Sequence, residues 1–288
     1  MDIVHAGRMP WGENLVAHRH ADIAHKVLFE GLEGAADNYV FVLARESKDY
    51  YSPRHRHAWD QVRYCLEGSI PIGRDLSVDT GEVGYFPEGV PYGPQEGGTD
   101  RIVLLLQFGG ASGLGFLSVR QLREAREALL AQGAFEGGVF RRTSGDGPKN
   151  QDAYEALWRH VTGQPIRYPK PRFKTPLVMR PDGFDWREVE GASGVRQRAL
   201  GRFTDRGLML DVYGLESGAT IDLGAADALR LVFVKAGDVQ SGGVACEPFT
   251  AIRTVQGEAA RFTATSAAEL FVITASTLSP RASESVHA

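Results

Sequence analysis

The chain has 288 residues, with 32 lysines and arginines against 36 aspartates and glutamates, which gives a formal charge of −4 at pH 7. No run of like charge is long enough to form a nucleic-acid-binding arm, so no nucleic-acid partner is expected. Residues 1–17 lack a signal-peptide pattern and no stretch approaches the roughly 20 apolar residues that span a bilayer, so the sequence predicts a cytoplasmic protein without a membrane partner.

Length and cysteine content favour two ordinary domains without disulfide bonds. Single domains most often hold roughly 100 to 150 residues, so two modules fit within this chain. Cys65 and Cys246 are the two cysteines, and they lie far apart and outside any CxxC pattern. Both are therefore expected to be reduced thiols.

Residues 1–34 carry no periodic apolar pattern and are expected to form an irregular N-terminal arm. Beyond them, segments rich in β-branched or aromatic residues are predicted strands; these segments are 39–44, 61–66, 101–108, 209–215, 229–234 and 270–275. The strands form one group before residue 112 and another after residue 186. Residues 279–288 have little to bury and are expected to form a mobile tail.

The first of two predicted helices covers residues 119–132. Ser118 and Gln121 before and within its first turn form the pattern of a capping box, in which each side chain binds the backbone of the other residue. Gly133 ends the helix because glycine readily adopts the backbone conformation that follows a helix C-terminus.

The second predicted helix covers residues 151–162, with Asn150 as its N-cap and Gly163 as its stop. The alternating prolines of the sequence RYPKPRF then favour an extended tether. Strands, helices and strands in this order predict two β-modules joined by a helical insert and tether over residues 113–185.

The stretch SPRHRHAWDQVRYCLEGSIPIG contains an HxH pattern followed at fixed spacing by a glutamine and a glycine. His55, His57, Gln61 and Gly68 hold these positions. The pattern resembles the first motif of the cupin superfamily, in which a glutamate stands at the position of Gln61. Asp49 replaces the leading glycine of that motif.

The sequence GEVGYFPEGVPY resembles the second cupin motif. Gly81, Pro87 and Gly89 match the positions of that motif, and Tyr92 stands where the family has a histidine. Two motifs in the correct order are much more specific than a lone HxH pattern. The N-terminal strand group is therefore similar to a cupin barrel.

The second strand group is similar to the first cupin motif in its spacing alone. Gly218 and Gly237 hold glycine positions of the motif, whereas Gly224, Ala226 and Arg230 stand where the family has two histidines and a glutamate. Every ligand of the motif is absent from this half of the chain.

The resemblance implies a mostly β bicupin, with two antiparallel β-barrels of the jelly-roll, RmlC-like kind linked by the helical insert. Barrel 1 spans 35–112 and keeps a metal-site-like ligand set, and barrel 2 spans 186–278 and is degenerate. Cupin barrels commonly pair, so the resemblance also implies a homodimer.

Side chains alternate along a strand, so His55 and His57 project to one side and their imidazoles can converge. Gln61 then returns on the facing strand, and Tyr92 enters from a third segment. These four side chains could offer two nitrogen and two oxygen donors to one divalent metal, Fe(II) first, with Zn, Mn or Ni as alternatives. Asp60 should point the other way from Gln61 by the same alternation.

Glutamine offsets none of the charge of a bound metal, so the site favours a small anionic or enolate-like substrate. Arg63, two residues after Gln61, is expected on the same face and could bind a substrate carboxylate. Tyr92 is expected to be a metal ligand or an acid–base catalyst. A second HxH, formed by His18 and His20, lies in the arm and is interpreted as solvated.

Three functions stay open at this point. The first is a metal-dependent dioxygenase acting on a small anionic or enolisable substrate. The second is a non-redox lyase, isomerase or decarboxylase that uses the metal as a Lewis acid. The third is a non-catalytic bicupin that binds a small ligand after decay of an ancestral metal site.

Overall fold

The computed structural model describes residues 1–12, 14–19 and 23–277. Antiparallel strands make up most of the regular structure in this part of the chain. The strands before residue 110 are β1 (Asp2–His5), β2 (Ile23–Glu30), β3 (Tyr39–Glu46), β4 (Asp60–Glu67), β5 (Ser69–Gly73), β6 (Leu76–Asp79), β7 (Val83–Phe86) and β8 (Arg101–Phe108).

Helices and shorter strands follow. They are α1 (Val119–Leu130), β9 (Gly133–Glu136), β10 (Val139–Arg142), β11 (Asn150–Asp152), α2 (Ala153–Thr162) and β12 (Leu177–Met179). The remaining strands are β13 (Arg187–Glu188), β14 (Val195–Phe203), β15 (Leu208–Leu215), β16 (Thr220–Leu223), β17 (Ala228–Ala236), β18 (Val239–Ser241), β19 (Val244–Cys246), β20 (Thr250–Thr254), β21 (Ala260–Ala264) and β22 (Ala268–Ser276). The mostly β class is thereby confirmed, and each of the six predicted strand segments lies within an observed strand.

The chain divides into two compact units. The N-terminal unit is formed by Trp11–Met179, and the C-terminal unit combines Met1–Pro10 with the described residues from Arg180 onward. Each unit has its own sheets and its own hydrophobic core.

The N-terminal unit is organised around a six-stranded antiparallel sheet with the strand order β12-β7-β4-β8-β3-β2. Strand β4 lies between β7 and β8, and the register places Gln61 opposite Phe86 on one side and opposite Gln107 on the other. The sheet therefore brings the glutamine of the first motif next to a second glutamine from β8. The hairpin β5-β6 covers part of this sheet, and buried residues of β4, β7 and β8 pack against Ile70 and Val78.

The described sheets are open. Each has two edge strands, so none of them closes on itself as the predicted barrels would. Pairs of facing antiparallel sheets are nonetheless consistent with a jelly-roll arrangement.

Helices α1 and α2 pack on the N-terminal unit. Leu122 of α1 and Leu157 of α2 share one buried cluster with Val42 of β3 and with Trp59. The helices thus complete the core of this unit, because each has one apolar face and that face is buried most fully against the nearest sheet. Their role as a link between the two β-modules stays a prediction.

The capping box of α1 is confirmed: the backbone N–H of Gln121 donates to the Ser118 hydroxyl at 3.1 Å, and the N–H of Ser118 donates to Gln121 Oε1 at 3.0 Å. The N-cap of α2 is Asp152 and not Asn150, because residues 150–152 form β11. The αL conformation of Gly163 ends α2 as expected.

The proline-containing tether lacks regular structure and lies on the N-terminal unit. Arg172 donates to Glu88 at 2.8 Å, and Glu88 is buried behind the sheet. Gly89 has a φ of +78°, and a side chain there would overlap the carbonyl group of Pro169. The glycine of the second motif therefore allows the tether to pass close to the turn.

The C-terminal unit pairs a seven-stranded sheet, ordered β1-β20-β17-β22-β15-β14-β13, with a four-stranded sheet, ordered β16-β21-β18-β19. Its core includes Val232, Ile252 and Val272 from the larger sheet and Ile221 and Phe262 from the smaller one.

Two strands lie in the segment expected to be an irregular arm. Strand β1 pairs with β20, with Asp2 opposite Arg253, and β2 pairs with β3 over most of its length. Strand β1 has four residues, which are too few for an alternating pattern to be recognised, and its partner strand β20 lies about 250 positions later in the sequence.

No helix in the described residues is long and apolar enough to cross a membrane. His20 and the segment 279–288, both assigned from the sequence, lie outside the described residues.

Candidate functional site

The backbone of the N-terminal unit places the two histidines beside Tyr92. The N–H of His55 donates to the carbonyl oxygen of Tyr92 at 3.0 Å, and the N–H of Tyr92 donates back at 2.9 Å. This short antiparallel bridge lies outside the named strands. It positions the phenol ring of Tyr92 against both imidazole rings, at centroid distances of 4.5 Å to His55 and 5.7 Å to His57.

Four nitrogen-bearing side chains converge on the hydroxyl oxygen of Tyr92. His55 Nε2 lies 3.0 Å from it, His57 Nε2 2.8 Å, Gln61 Nε2 3.1 Å and Arg63 Nη2 3.0 Å. The predicted ligands and the predicted anion-binding arginine are therefore neighbours in space. The phenol oxygen is the centre of the cluster.

The hydrogen-bond partners fix where the protons of the two histidines lie. His55 Nδ1 is 2.6 Å from the carbonyl oxygen of Pro53, so this nitrogen carries a proton and donates it. In the neutral ring, His55 Nε2 then accepts the proton of the Tyr92 hydroxyl. Because the hydroxyl proton of Tyr92 is donated to His55, His57 Nε2 must carry its own proton and donate it to the Tyr92 oxygen. His57 Nδ1 is then a buried acceptor without a partner in the described residues.

Both histidines are held in their neutral form. Burial lowers the pKa of His55 well below its ordinary value, and the nearby charge of Arg19 lowers it further. Burial likewise lowers the pKa of His57, with His55 as the next cause. The positive charge at the cluster therefore belongs to Arg63.

Arg63 determines how the Gln61 amide is oriented. Arg63 Nη2 donates to Gln61 Oε1 at 3.3 Å, and Gln107 Nε2 donates to the same oxygen at 2.9 Å. An arginine has no acceptor atom, so the amide nitrogen of Gln61 must face Tyr92. The ligand role expected for Gln61 requires its amide oxygen to face the histidines, whereas the amide nitrogen lies on that side.

No carboxylate in the described residues forms an ion pair with Arg63. Glu46 lines the same cavity, but it is paired with Arg101 at 2.5 Å. Arg19, a second buried cation of the cavity wall, is paired with Asp152 at 3.4 Å. Arg63 is 6 % exposed, so the site holds a buried guanidinium group whose charge is not balanced nearby.

A cavity of about 70 Å³ lies beside the cluster. One ordered water needs roughly 10 to 15 Å³ of such volume, so the cavity has room for about five to seven water-sized groups. Apolar side chains cover much of its wall, namely Leu15, Val16, Ile23, Val40, Val42, Leu105, Phe116, Val119 and Leu122. Its size suits a small molecule with few heavy atoms.

The predicted donors meet the requirements of a divalent metal site only in part. A metal-bound histidine normally donates its second ring N–H to an acceptor. His55 does so through Pro53, whereas His57 Nδ1 has no such partner in the described residues. Gln61 turns its amide nitrogen towards the centre, and the Arg63 cation lies 3.0 Å from the central oxygen. The described residues also contain no group of three or more His, Cys, Asp or Glu side chains that could hold a metal.

Other residues of the motifs have structural roles. Asp60 points away from Gln61, as alternation predicted, and accepts hydrogen bonds from the Tyr85 hydroxyl at 2.8 Å and the Glu88 N–H at 2.7 Å. In the C-terminal unit, Arg230 donates to the carbonyl oxygen of Leu223 at 2.6 Å.

Several polar residues of the cavity wall were missed or interpreted differently at the sequence level, and three of them show why. His18 was interpreted as solvated, yet it is 4 % exposed and lines the cavity. Gln107 was not singled out, although a glutamine on the same face of a strand as Leu105 and Val103 is a recognisable signal. Gln95 follows a turn and had no signal of this kind.

No family model matches the sequence, and no curated protein matches it. Solved structures do resemble it. A candidate dioxygenase from Nostoc punctiforme has a TM-score of 0.61 at 10% identity, over 98% of this chain and 84% of that one. A candidate glyoxylate-induced protein from Pseudomonas aeruginosa has a TM-score of 0.59 at 9% identity, over 97% and 90% of the two chains.

Oxalate decarboxylase from Bacillus subtilis, a protein described with Mn(II) centres, has a TM-score of 0.50 at 13% identity, over 91% of this chain and 80% of that one. At these identities the likeness concerns the fold, and the coverage extends it over both units. The chain thus resembles these proteins in its mostly β fold, and this fold is consistent with a jelly-roll arrangement of the cupin type.

Proposed function

We propose that the N-terminal unit is an enzyme that binds a small anionic or enolisable substrate in the cavity beside Tyr92. The observation that carries this proposal is the convergence of His55, His57, Gln61 and Arg63 on one buried hydroxyl group, with no carboxylate opposite Arg63 in the described residues. In this proposal Arg63 binds the negative charge and Tyr92 transfers a proton.

The charge of the site favours an anion. A buried cation without a partner costs several kcal/mol, because burial removes the water that would otherwise solvate it. The two histidines are neutral, so they do not compete with Arg63 for the anion. A bound carboxylate would recover much of this cost through charge-assisted hydrogen bonds.

The hydrogen bonds at Tyr92 also exceed what one hydroxyl group can accept. Three donors, from His57, Gln61 and Arg63, face an oxygen that has two lone pairs. At least one donor is therefore in surplus. An anionic oxygen bound next to Tyr92 would accept from it.

The Tyr92 hydroxyl and His55 hold a proton at a defined place. The proton lies between the phenol oxygen and His55 Nε2, and the bond from His55 Nδ1 to Pro53 fixes the orientation of the ring. A substrate bound at Arg63 would lie within reach of this hydroxyl. The arrangement suits proton transfer to or from a carbon next to a carboxylate or carbonyl group, as in enolisation, decarboxylation or elimination.

A metal-dependent reaction of the dioxygenase type is the second candidate, favoured by the approach of both histidine Nε2 atoms to one oxygen. His55, His57 and Tyr92 would hold the ion, with Gln61 after rotation of its amide. The bound ion would supply Lewis-acid or redox chemistry. Fe(II) over Mn, Zn or Ni and a homodimeric assembly stay predictions, and a non-catalytic binding role is the remaining alternative.

Calorimetric binding of small carboxylates to the full chain, after treatment with a chelator, tests the proposal. Wild type should bind them, and Arg63→Gln should bind at least about 10-fold more weakly. Arg74→Gln is the matched control, because the side chain of Arg74 is 97% exposed. Anion binding that appears only after a metal is added, and is lost in His55→Ala, would favour the second candidate.

Solvent deuterium exchange into bound 2-oxo or other enolisable acids, followed by NMR, tests the proton transfer. Exchange should be present in wild type and lost in Tyr92→Phe. Binding without exchange or turnover for any acid of the panel would leave a non-catalytic binding protein. Absence of binding in both metal-free and metal-loaded protein would refute the proposed function.

A further inference from the structure

Gln95 presents an unused amide group to the cavity. Its side chain lines the cavity and the residue is fully buried, and among the residues that the structure describes neither Oε1 nor Nε2 has a hydrogen-bond partner. Its backbone is fixed by a pair of hydrogen bonds with Ser52, each 2.8 Å long. An unsatisfied buried polar atom costs about 1 to 3 kcal/mol, so this amide is a costly feature for a residue that only fills space.

Other polar atoms of the same wall are also without partners in the described residues. They include Nε of Arg63, Nδ1 of His57, Nε1 of Trp59 and the hydroxyl oxygen of Tyr154. Arg63 and Trp59 offer donors, and His57 Nδ1 offers an acceptor by the proton assignment above. A ligand that forms hydrogen bonds with these atoms must therefore both accept and donate.

The chemistry of the amide narrows the ligand further. A carboxylate has acceptors alone, so it can pair with Arg63 and with the N–H of Gln95 but leaves Gln95 Oε1 unsatisfied. A hydroxyl group supplies the missing donor. A short acid with a hydroxyl group on the neighbouring carbon satisfies both atoms of the amide and still fits a cavity of about 70 Å³.

We propose that Gln95 is a specificity-determining residue that selects a short hydroxy acid, or the enol form of a 2-oxo acid, over the same acid without the hydroxyl group. This inference rests on the proposed function, in which Arg63 binds the carboxylate. Gln95 recognises the second oxygen and does not take part in proton transfer.

Calorimetry with two matched pairs of acids, glycolate with acetate and lactate with propionate, tests the inference on the full chain. Wild type should bind the hydroxy acid of each pair about 5- to 10-fold more tightly, the effect of one or two neutral hydrogen bonds. Gln95→Met, similar in size and apolar, should bind both members of a pair equally, at about the wild-type affinity for the plain acid. Gln164→Met, at an exposed position, should keep the wild-type preference.

The wild-type measurement is decisive by itself, and Gln95→Leu is a second variant if Gln95→Met does not fold. Equal affinities within both pairs in wild type, or a preference that survives in the Gln95 variants, would overturn the inference while leaving the proposed function intact. Absence of binding for all four acids, in both metal-free and metal-loaded protein, would instead overturn the proposed function, and this inference with it.

Discussion

Replacing Gln61 by glutamate distinguishes an anion site from a metal site. Gln61 Oε1 lies 3.3 Å from Arg63 Nη2, so a carboxylate at this position would pair with Arg63 and neutralise it. An anion bound to the same guanidinium would then lie roughly 5 to 6 Å from the new charge. At an effective dielectric constant of about 20, two like charges at this distance repel by about 3 kcal/mol.

That repulsion corresponds to about a 100-fold loss of affinity. Calorimetric titration of chelator-treated Gln61→Glu with lactate should therefore show binding about 100-fold weaker than in wild type. Gln164→Glu, which adds the same charge at an exposed position, is the control and should bind as wild type does. In Gln61→Glu, the affinity for a divalent metal should rise, because the carboxylate supplies the negative charge that glutamine lacks.

Unchanged lactate binding in Gln61→Glu would refute the argument that the uncompensated charge of Arg63 binds the anion. Unchanged metal affinity would contradict a ligand role for Gln61. The two carboxylate oxygens of the glutamate would occupy the positions of the amide oxygen and nitrogen, so a metal bound through the glutamine oxygen would also contact the carboxylate.

Three further outcomes are expected. Tyr92→Phe removes the hydroxyl group shared by four side chains, and it should lower the free energy of unfolding in urea by about 2 to 4 kcal/mol, even if water enters the cavity. The exposed Tyr51→Phe is the control and should lower it by less than about 0.5 kcal/mol; a loss below about 1 kcal/mol for Tyr92→Phe would mean that this hydroxyl does not hold the cluster together. Burial raises the pKa of Cys65 to about 12 and also raises the pKa of Cys246, so both thiols should react with a disulfide reagent only after unfolding, and rapid labelling of native protein would contradict the buried positions. Burial raises the pKa of Asp60 from 3.8 to about 6, so the stability contributed by its uncharged form is full below about pH 4 and is lost as the pH rises through 6. A shift of this size corresponds to about 3 kcal/mol in the free energy of unfolding. Asp60→Asn should lose this part of the pH dependence of urea unfolding, and parallel pH profiles for wild type and variant would argue against the shift.

The sequence predicted the central strands and the side-chain cluster because both depend on local patterns. Alternation in β4 places Gln61 and Arg63 on one face, and the spacing of the two motifs brings Tyr92 to His55. These relations need only the geometry of strands and turns.

The orientation of Gln61 was not predictable in the same way. It is decided by donors from Arg63 and from Gln107, the latter on a strand more than 40 residues away. The placement of α1 and α2 on the N-terminal unit likewise depends on which apolar surface is available, which a helical pattern does not specify. Strand β1 was not predicted because its extended conformation depends on pairing with β20, and a segment of four residues does not indicate a strand by its own pattern.

The pairing of β1 with β20 has a consequence for biosynthesis. His5 and Thr250 are 245 positions apart, so β1 leaves the ribosome long before β20, the strand with which it pairs. At about 5 to 20 residues per second, the nascent segment waits on the order of ten seconds or more. A bulky group fused directly before β1 should therefore slow or impair the folding of the C-terminal unit. A fragment starting at Arg180 would lack β1 and would leave β20 as an unprotected edge strand that favours aggregation.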